Sequence, residues 1–225
     1  MFCKNCGSQI PDNAPTCPGC SASALAVSPA AVAVDKAKAA SKDALQAFKI
    51  FASNPVGGLS VAFDALGPVR SLGAGITFGV VFALCIVLAA YRVLPAWGRP
   101  PGFTGFMKIL AVAVVPFVSL LGACIAGRKA FRGEGLWGHD CFIAGATLLP
   151  LGFLALLAAV LGALNAEVIT ALALFAACLT ILMLFAGLTR ICKMSERAST
   201  LAVPLMLIAS AWLSKVIYAA LLKGL

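Results

Sequence analysis

Acidic side chains are scarce in this chain. Its 225 residues include eight Asp and Glu against 17 Lys and Arg, and the long apolar runs contain neither Asp nor Glu. Buried carboxylates often mark the proton and ion pathways of transporters, so their absence argues against a proton- or sodium-coupled transporter. The sequence has one histidine and neither an H-E-x-x-H nor a G-x-S-x-G motif, so the usual zinc-protease and serine-hydrolase signatures are missing.

The chain is rich in long apolar segments. Hydrophobic residues make up 62% of it, and its mean hydropathy is +1.03. Uncharged runs of about 17–20 residues or more can cross the bilayer as helices. The sequence therefore predicts an all-α polytopic membrane protein. Its five transmembrane helices are expected at roughly 71–92, 108–127, 141–164, 168–190 and 199–222.

The basic residues predict how these helices are oriented. Cytoplasmic loops carry the excess of Lys and Arg, and eleven basic residues fall on one side against five on the other. We therefore expect a cytoplasmic N-terminus and a C-terminus outside. No charge-flanked apolar stretch stands near the start, so we expect an uncleaved first span rather than a signal peptide.

Two C-x-x-C pairs precede the apolar region, formed by Cys3, Cys6, Cys17 and Cys20. Two such pairs can supply a closed tetrahedral set of thiolates, which suits structural zinc and leaves no open position for catalysis. Two disulfides or a redox pair are the alternatives, but the predicted cytoplasmic location is reducing, and no βαβ context follows. We therefore predict zinc as the cofactor of a small N-terminal module.

The charge of this module also bears on its partner. Lys4 and Asp12 are its only charged residues, so it lacks the basic footprint that phosphate binding needs. We expect no nucleic acid, but rather a cytoplasmic protein partner or self-association. Residues 2–20 resemble the short zinc ribbons found at the N-termini of bacterial membrane and regulatory proteins. That resemblance implies zinc as the metal, and together with the five apolar runs we expect a location in the inner membrane of a bacterium.

A low-complexity stretch and a helical pattern connect the ribbon to the spans. Residues 21–34 are rich in Ala and Ser and indicate a tether. From Asp35 to Ala52, Leu45, Phe48 and Phe51 recur at helical spacing among lysines, which predicts an amphipathic helix on the cytoplasmic leaflet or a solvated helix. We thus divide the chain into a zinc ribbon (1–22), a tether with an amphipathic segment (23–55) and a transmembrane domain (56–225).

The approach to the first span carries a short motif, AFDALGPVR (62–70). Its plain interpretation is a turn that directs the span into the bilayer, with Pro68 in the first helical turn. The stretch also resembles the D-L-x-G-P signature of the Yip family of five-span membrane proteins. Asp64, Gly67 and Pro68 match the signature, while Leu66 is one place off the family's leucine. The resemblance implies a membrane protein that interacts with other proteins, without an assigned activity for bacterial relatives.

Several residues within the spans are candidates for special roles. We expect Arg92 and Lys215 to snorkel to the interface, and Gly75 with Gly79 to allow close helix packing within the chain or between chains. The scattered cysteines should pack as small apolar residues, with Cys192 a minor candidate for acylation. His139 and the adjacent Asp140 are expected in a solvated loop. Three prolines should kink their helices, namely Pro116, Pro150 and Pro204.

These observations predict a non-enzymatic membrane platform, Yip-like, whose cytoplasmic zinc ribbon mediates protein interaction or regulation. The alternative is a small transporter or lipid-translocating protein that the ribbon regulates, in which the three prolines shape a path. A continuous polar cavity would favour the transporter. An intramembrane enzyme would need a buried nucleophile with a base within hydrogen-bond reach, and the spans offer no obvious base.

Overall fold

A computed structural model describes residues 8, 9, 19, 29–93, 102–161 and 166–223. Six α-helices form its described part: α1 (Pro29–Ser53), α2 (Gly58–Val93), α3 (Phe103–Ala130), α4 (Trp137–Val160), α5 (Ala166–Ala186) and α6 (Glu196–Lys223). A π-helical turn, Gly187–Ile191, extends α5. The chain divides into two compact units, Met1–Ala39 and Ala40–Leu225, and the contacts described below lie within the second.

Five of these helices are long and apolar enough to cross a membrane, which confirms the predicted fold class. The candidate spans are Gly58–Arg92, Gly105–Ala130, Trp137–Val160, Glu167–Ile191 and Glu196–Ala220. Large apolar side chains on their outer faces are exposed, among them Ile208 and Trp212 of α6. Exposed apolar surface on this scale suits lipid rather than water.

The pair α2 and α4 forms the centre of the bundle. The two helices run in the same direction, because Pro68 lies against Gly138, Phe78 against Gly145 and Phe82 against Gly152. A Cβ added to Gly75 would lie 2.6 Å from the backbone of Cys141, and one added to Gly145 would collide with the carbonyl oxygen of Gly75. The two backbones therefore touch where only glycine leaves enough room.

The predicted small-residue pair on α2 packs inside the chain. Gly79 lies against the ring of Phe117 on α3, where an added Cβ would be 2.8 Å from the ring. Gly122 and Ala126 repeat this spacing on α3 but are both exposed, and a Cβ on Gly122 would meet nothing within 4 Å.

A sharp kink divides α2 near its start. Gly67 adopts φ 70° and ψ 171°, a conformation that is essentially restricted to glycine, and Pro68 begins the helical segment that follows. The guanidinium of Arg70 donates hydrogen bonds to the carbonyl oxygens of Ala65 (3.2 Å) and Leu66 (3.1 Å), the last residues before the kink. It also forms an ion pair with Asp43 of α1 at 3.5 Å.

The part of α1 after Ala40 and residues 58–66 of α2 form a helical hairpin. Its turn is closed by two hydrogen bonds, from the Gly57 amide to Oδ1 of Asn54 (2.9 Å) and from the Gly58 amide to the Asn54 carbonyl (2.7 Å). Pro55 in this turn shares a cavity of about 180 Å³ with Pro150 of α4. Because Pro150 lies thirteen residues after Trp137, the tip of the hairpin reaches about 20 Å along α4 at 1.5 Å per residue.

The hairpin then returns to the end of the bundle from which it started. Ala40, on the way in, packs beside Gly73. Phe63, on the way out, packs its ring against those of His139 (4.7 Å between ring centroids) and Phe142 (5.6 Å), in the first two turns of α4. The hairpin thus reaches half the length of α4 without passing through the bundle.

This arrangement corrects the prediction for residues 35–52. The segment is helical, but one face of it packs on protein instead of lying among headgroups. Ala44, Ala47 and Phe51 are buried, and the ring of Phe51 meets that of Phe78 on α2 edge to face, with 5.5 Å between the centroids. The helix also begins at Pro29 rather than at Asp35. Proline is suited to a first helical turn, and the alanines after it are strong helix formers.

Side chains from neighbouring helices bond to backbone groups near two of the prolines. Pro116 lacks an amide hydrogen for the Val112 carbonyl four residues earlier, and the Tyr218 hydroxyl of α6 donates to that carbonyl at 3.1 Å. Near Pro150, the Thr180 hydroxyl of α5 donates to the Thr147 carbonyl at 3.1 Å. These bonds tie α6 to α3 and α5 to α4.

The contact between α2 and α4 predicts a sharp contrast between two glycines. Gly145→Ala should lower the free energy of unfolding by about 1–3 kcal/mol, because the methyl group overpacks the helix contact. Gly122→Ala, on an open face, should be neutral or stabilising by about 0.5–1 kcal/mol. Unfolding titrations of both variants in detergent would measure this, and equal effects would contradict the close contact.

Candidate functional site

The four predicted zinc ligands, Cys3, Cys6, Cys17 and Cys20, lie outside the described residues. In their stretch the structure describes Ser8, Gln9 and Gly19, which are exposed. The donor set itself fits zinc, because four thiolates from two C-x-x-C pairs match the tetrahedral sulfur coordination of structural sites.

Among the described residues, the most distinctive chemical feature is a buried ion pair between α3 and α4. Nε of Arg128 lies 3.0 Å from both carboxylate oxygens of Asp140, and its Nη2 lies 2.9 Å from Oδ2. The Asp140 side chain is fully buried, and that of Arg128 is 10% exposed. Charges removed from water in this way need close pairing and hydrogen bonds, and the forked guanidinium supplies both.

Helix ends place this pair and favour its charges. Arg128 lies in the last turn of α3 and Asp140 in the first turn of α4, where the helix dipoles favour a cation and an anion respectively. Next to Asp140, Nδ1 of His139 accepts a hydrogen bond from the Leu136 amide at 3.0 Å. His139 is therefore in the capped first turn of α4, and its predicted position in a solvated loop is wrong.

Two loops meet close to the ion pair. The Glu134 amide, between α3 and α4, donates to the Cys192 carbonyl, after α5, at 2.8 Å. Cys192 is fully buried, and burial, together with the nearby Asp140 carboxylate, raises the pKa of its thiol to about 12. The thiol is therefore protonated near neutral pH and inaccessible to acylation in this structure. A second ion pair, Lys193 with Glu134 at 3.7 Å, is exposed, with both side chains 73% accessible.

The remaining candidates take structural positions. Cys85, Cys124 and Cys141 are buried as predicted for small packing residues, whereas Cys178 is exposed. Arg92 and Lys215 are exposed on α2 and α6, which is compatible with the expected snorkelling. Pro116, Pro150 and Pro204 each lie inside a helix, as predicted.

The sequence did not predict the ion pair. Asp140 follows a stretch rich in Gly, Arg and Glu, and this pattern indicates a loop in which a charged side chain normally faces water. A signal was present: a lone Asp directly before one uncharged run and an Arg directly after the preceding run, joined by a short loop. Such charges lie at the same end of an antiparallel helix pair and can approach each other.

Comparison with known proteins identifies one module. A family model of zinc-ribbon domains matches residues 2–23, which include all four cysteines of the two pairs. No curated protein matches the chain, and no solved structure does. The chain therefore carries an N-terminal zinc ribbon joined to a helical bundle of the membrane-spanning type. Zinc binding agrees with the presence of this ribbon.

The ion pair predicts unequal costs for removing two carboxylates. Asp140→Ala should destabilise the bundle by about 3–5 kcal/mol, because it leaves the Arg128 charge buried without a partner. Glu134→Ala, which breaks the exposed pair, should cost less than about 1 kcal/mol. Detergent unfolding of both variants would test this. The double variant Arg128→Met with Asp140→Leu should recover most of the lost stability, because it removes both buried charges together. If stability is not recovered, the ion pair contributes more than the mutual neutralisation of its two charges.

Proposed function

We propose that the protein is a non-enzymatic, Yip-like platform in the inner membrane of a bacterium. The bundle anchors it, and the zinc ribbon faces the cytoplasm, where it binds a protein partner or a second copy of the chain. One observation carries this proposal: a zinc ribbon with a match over residues 2–23 precedes a bundle whose central helices pack backbone to backbone.

The chemistry of the bundle supports an anchoring role rather than catalysis. Its buried carboxylate, Asp140, is engaged by Arg128, and four of its described cysteines are buried. A nucleophile needs a free base within hydrogen-bond reach. In the part of the chain that the structure describes, neither the ion pair nor the buried thiols offer that arrangement.

The transport alternative rests on a cavity between α3, α4, α5 and α6. This space of about 300 Å³ is lined by the hydroxyl residues Thr180, Ser210 and Ser214, together with apolar residues that include Pro116. Among its described lining residues there is no ionisable side chain to bind or release a charged substrate. The cavity is therefore weak support for transport. The closely packed contact between α2 and α4 is stronger support for an anchoring role.

The likeness to the Yip family has a physical basis in the motif. Gly67 and Pro68 are required by the kink between the hairpin and the first span, and Asp64 stands exposed one turn before it. A signature that specifies such a kink would be shared by proteins with this entry geometry, which is why we carry the likeness over to this chain.

The recruitment role predicts a specific loss. Replacing the four ribbon cysteines by serine should remove one zinc ion per chain and abolish a crosslinked partner, while the bundle still inserts. Metal analysis by mass spectrometry and crosslinking of the full-length protein would measure both. Gln9→Ala, an exposed ribbon position that is not a cysteine, is the matched control. Loss of zinc with unchanged crosslinks would contradict recruitment and favour a structural or regulatory ribbon.

The proposed orientation is tested separately. Because eleven basic residues fall on the predicted cytoplasmic side against five on the other, alkaline phosphatase fused after Leu225 should be active and a green fluorescent protein fused there should be dark. A fusion after residue 130 should give the reverse pattern. The opposite result at either position would overturn the orientation.

A further inference from the structure

An apolar groove lies between the hairpin and the centre of the bundle. It has a volume of about 490 Å³ and is lined by α1 residues between Ser41 and Phe48, by α2 residues between Thr77 and Val81, and by Leu149 and Phe153 of α4. Its volume is within the range of about 300–1,000 Å³ that small-molecule sites occupy. We call it the α1 groove.

The lining of the α1 groove suits a hydrocarbon chain. Leu45, which is 57% exposed, lines it, together with the rings of Phe48 and Phe153, which lie 5.9 Å apart. Thr77 contributes a hydroxyl, but that hydroxyl donates to the Gly73 carbonyl at 2.9 Å. The groove therefore offers mainly apolar contacts, and the Thr77 hydroxyl does not require a polar group on the ligand.

The groove fits within one leaflet. Its lining residues run from Ser41 to Phe48 on α1 and from Thr77 to Val81 on α2. The seven residues from Ser41 to Phe48 correspond to about 10 Å of helix, less than half of the roughly 30 Å hydrocarbon core. A chain lying in the groove would thus extend from near the membrane surface toward the midplane.

One positively charged side chain lies at the end of the groove nearest the membrane surface. Lys42 is the one charged side chain among the described residues that line the groove. Lys42 is near the start of the α1 lining, toward the end of the bundle where the hairpin enters, and it is exposed. A lysine in that position can meet an anionic headgroup.

From these observations we propose that the α1 groove retains one anionic phospholipid of the leaflet that the hairpin occupies. One acyl chain lies along Leu45, Phe48 and Phe153, and the phosphate pairs with Lys42. The site is independent of the zinc ribbon, so it stands whether or not the ribbon recruits a partner.

Native mass spectrometry of the full-length protein tests this, with dioleoyl phosphatidylglycerol and dioleoyl phosphatidylcholine as the probes. The expected result is one phosphatidylglycerol retained per chain after delipidation and readdition. Val81→Trp, which fills the groove, should lower retention at least about tenfold. Val80→Trp is the matched control, because Val80 is 52% exposed and does not line the groove.

The headgroup contact has its own pair of variants. Lys42→Gln should lower the preference for phosphatidylglycerol over phosphatidylcholine about fivefold, the effect of one lysine near an anionic surface. Lys49→Gln, exposed on the same helix and outside the groove, should leave the preference unchanged. If Val81→Trp fails to fold by size-exclusion chromatography, Leu45→Trp fills the groove from an exposed position and should give the same loss.

Two results would overturn the proposal. Equal retention by the Val81→Trp and Val80→Trp proteins would mean that bound lipid is only the general annulus around the bundle. A dimer of the delipidated protein that Val81→Trp dissociates and Val80→Trp does not would assign the groove to a second copy of the chain.

Discussion

The contact between the backbones of α2 and α4 is the constraint on which the rest of the bundle depends. Gly75 and Gly145 bring the two helices so close that a methyl group on Gly145 would strike the other backbone. Because lipid tails are as apolar as leucine, helices in a membrane associate through close packing rather than through a hydrophobic driving force. The remaining spans are then added around this pair, α5 on α4 through Thr180 and α6 on α3 through Tyr218.

Two arginines pair with groups close to them in space, and this shapes one end of the bundle. Arg128 and Asp140 neutralise each other where α3 ends and α4 begins, and Arg70 bonds to the carbonyls that end the first part of α2. Each guanidinium lies at the C-terminal end of a helical segment, where its positive charge interacts favourably with the exposed carbonyl groups. The same end of the bundle therefore holds both the connection to the hairpin and the buried ion pair.

The sequence predicts the number of candidate spanning helices and the N-terminal zinc ribbon well, because both depend on composition and spacing alone. The course of the hairpin could not be predicted in that way. The spacing of Leu45, Phe48 and Phe51 shows that one face of α1 is apolar, but the same face can be covered by lipid or by protein. Likewise, Gly67 could be recognised as a flexible point, but its direction of bend depends on Arg70 and on the packing of Phe63 against α4. The pairing of Asp140 could not be predicted either, because its partner Arg128 is twelve residues away in sequence and adjacent only in space.

The hairpin also bears on the topology of the whole chain. A segment that enters and leaves the bundle at one end adds helical mass without adding a crossing. The kink at Gly67 divides what would otherwise be a rod of 36 residues, about 54 Å at 1.5 Å per residue and far longer than the bilayer core is thick. Only the part after Pro68 counts as a traverse. The number of candidate traverses therefore stays odd, which agrees with the proposed placement of the hairpin's entry at Ala40 and the end of α6 on opposite faces of the membrane.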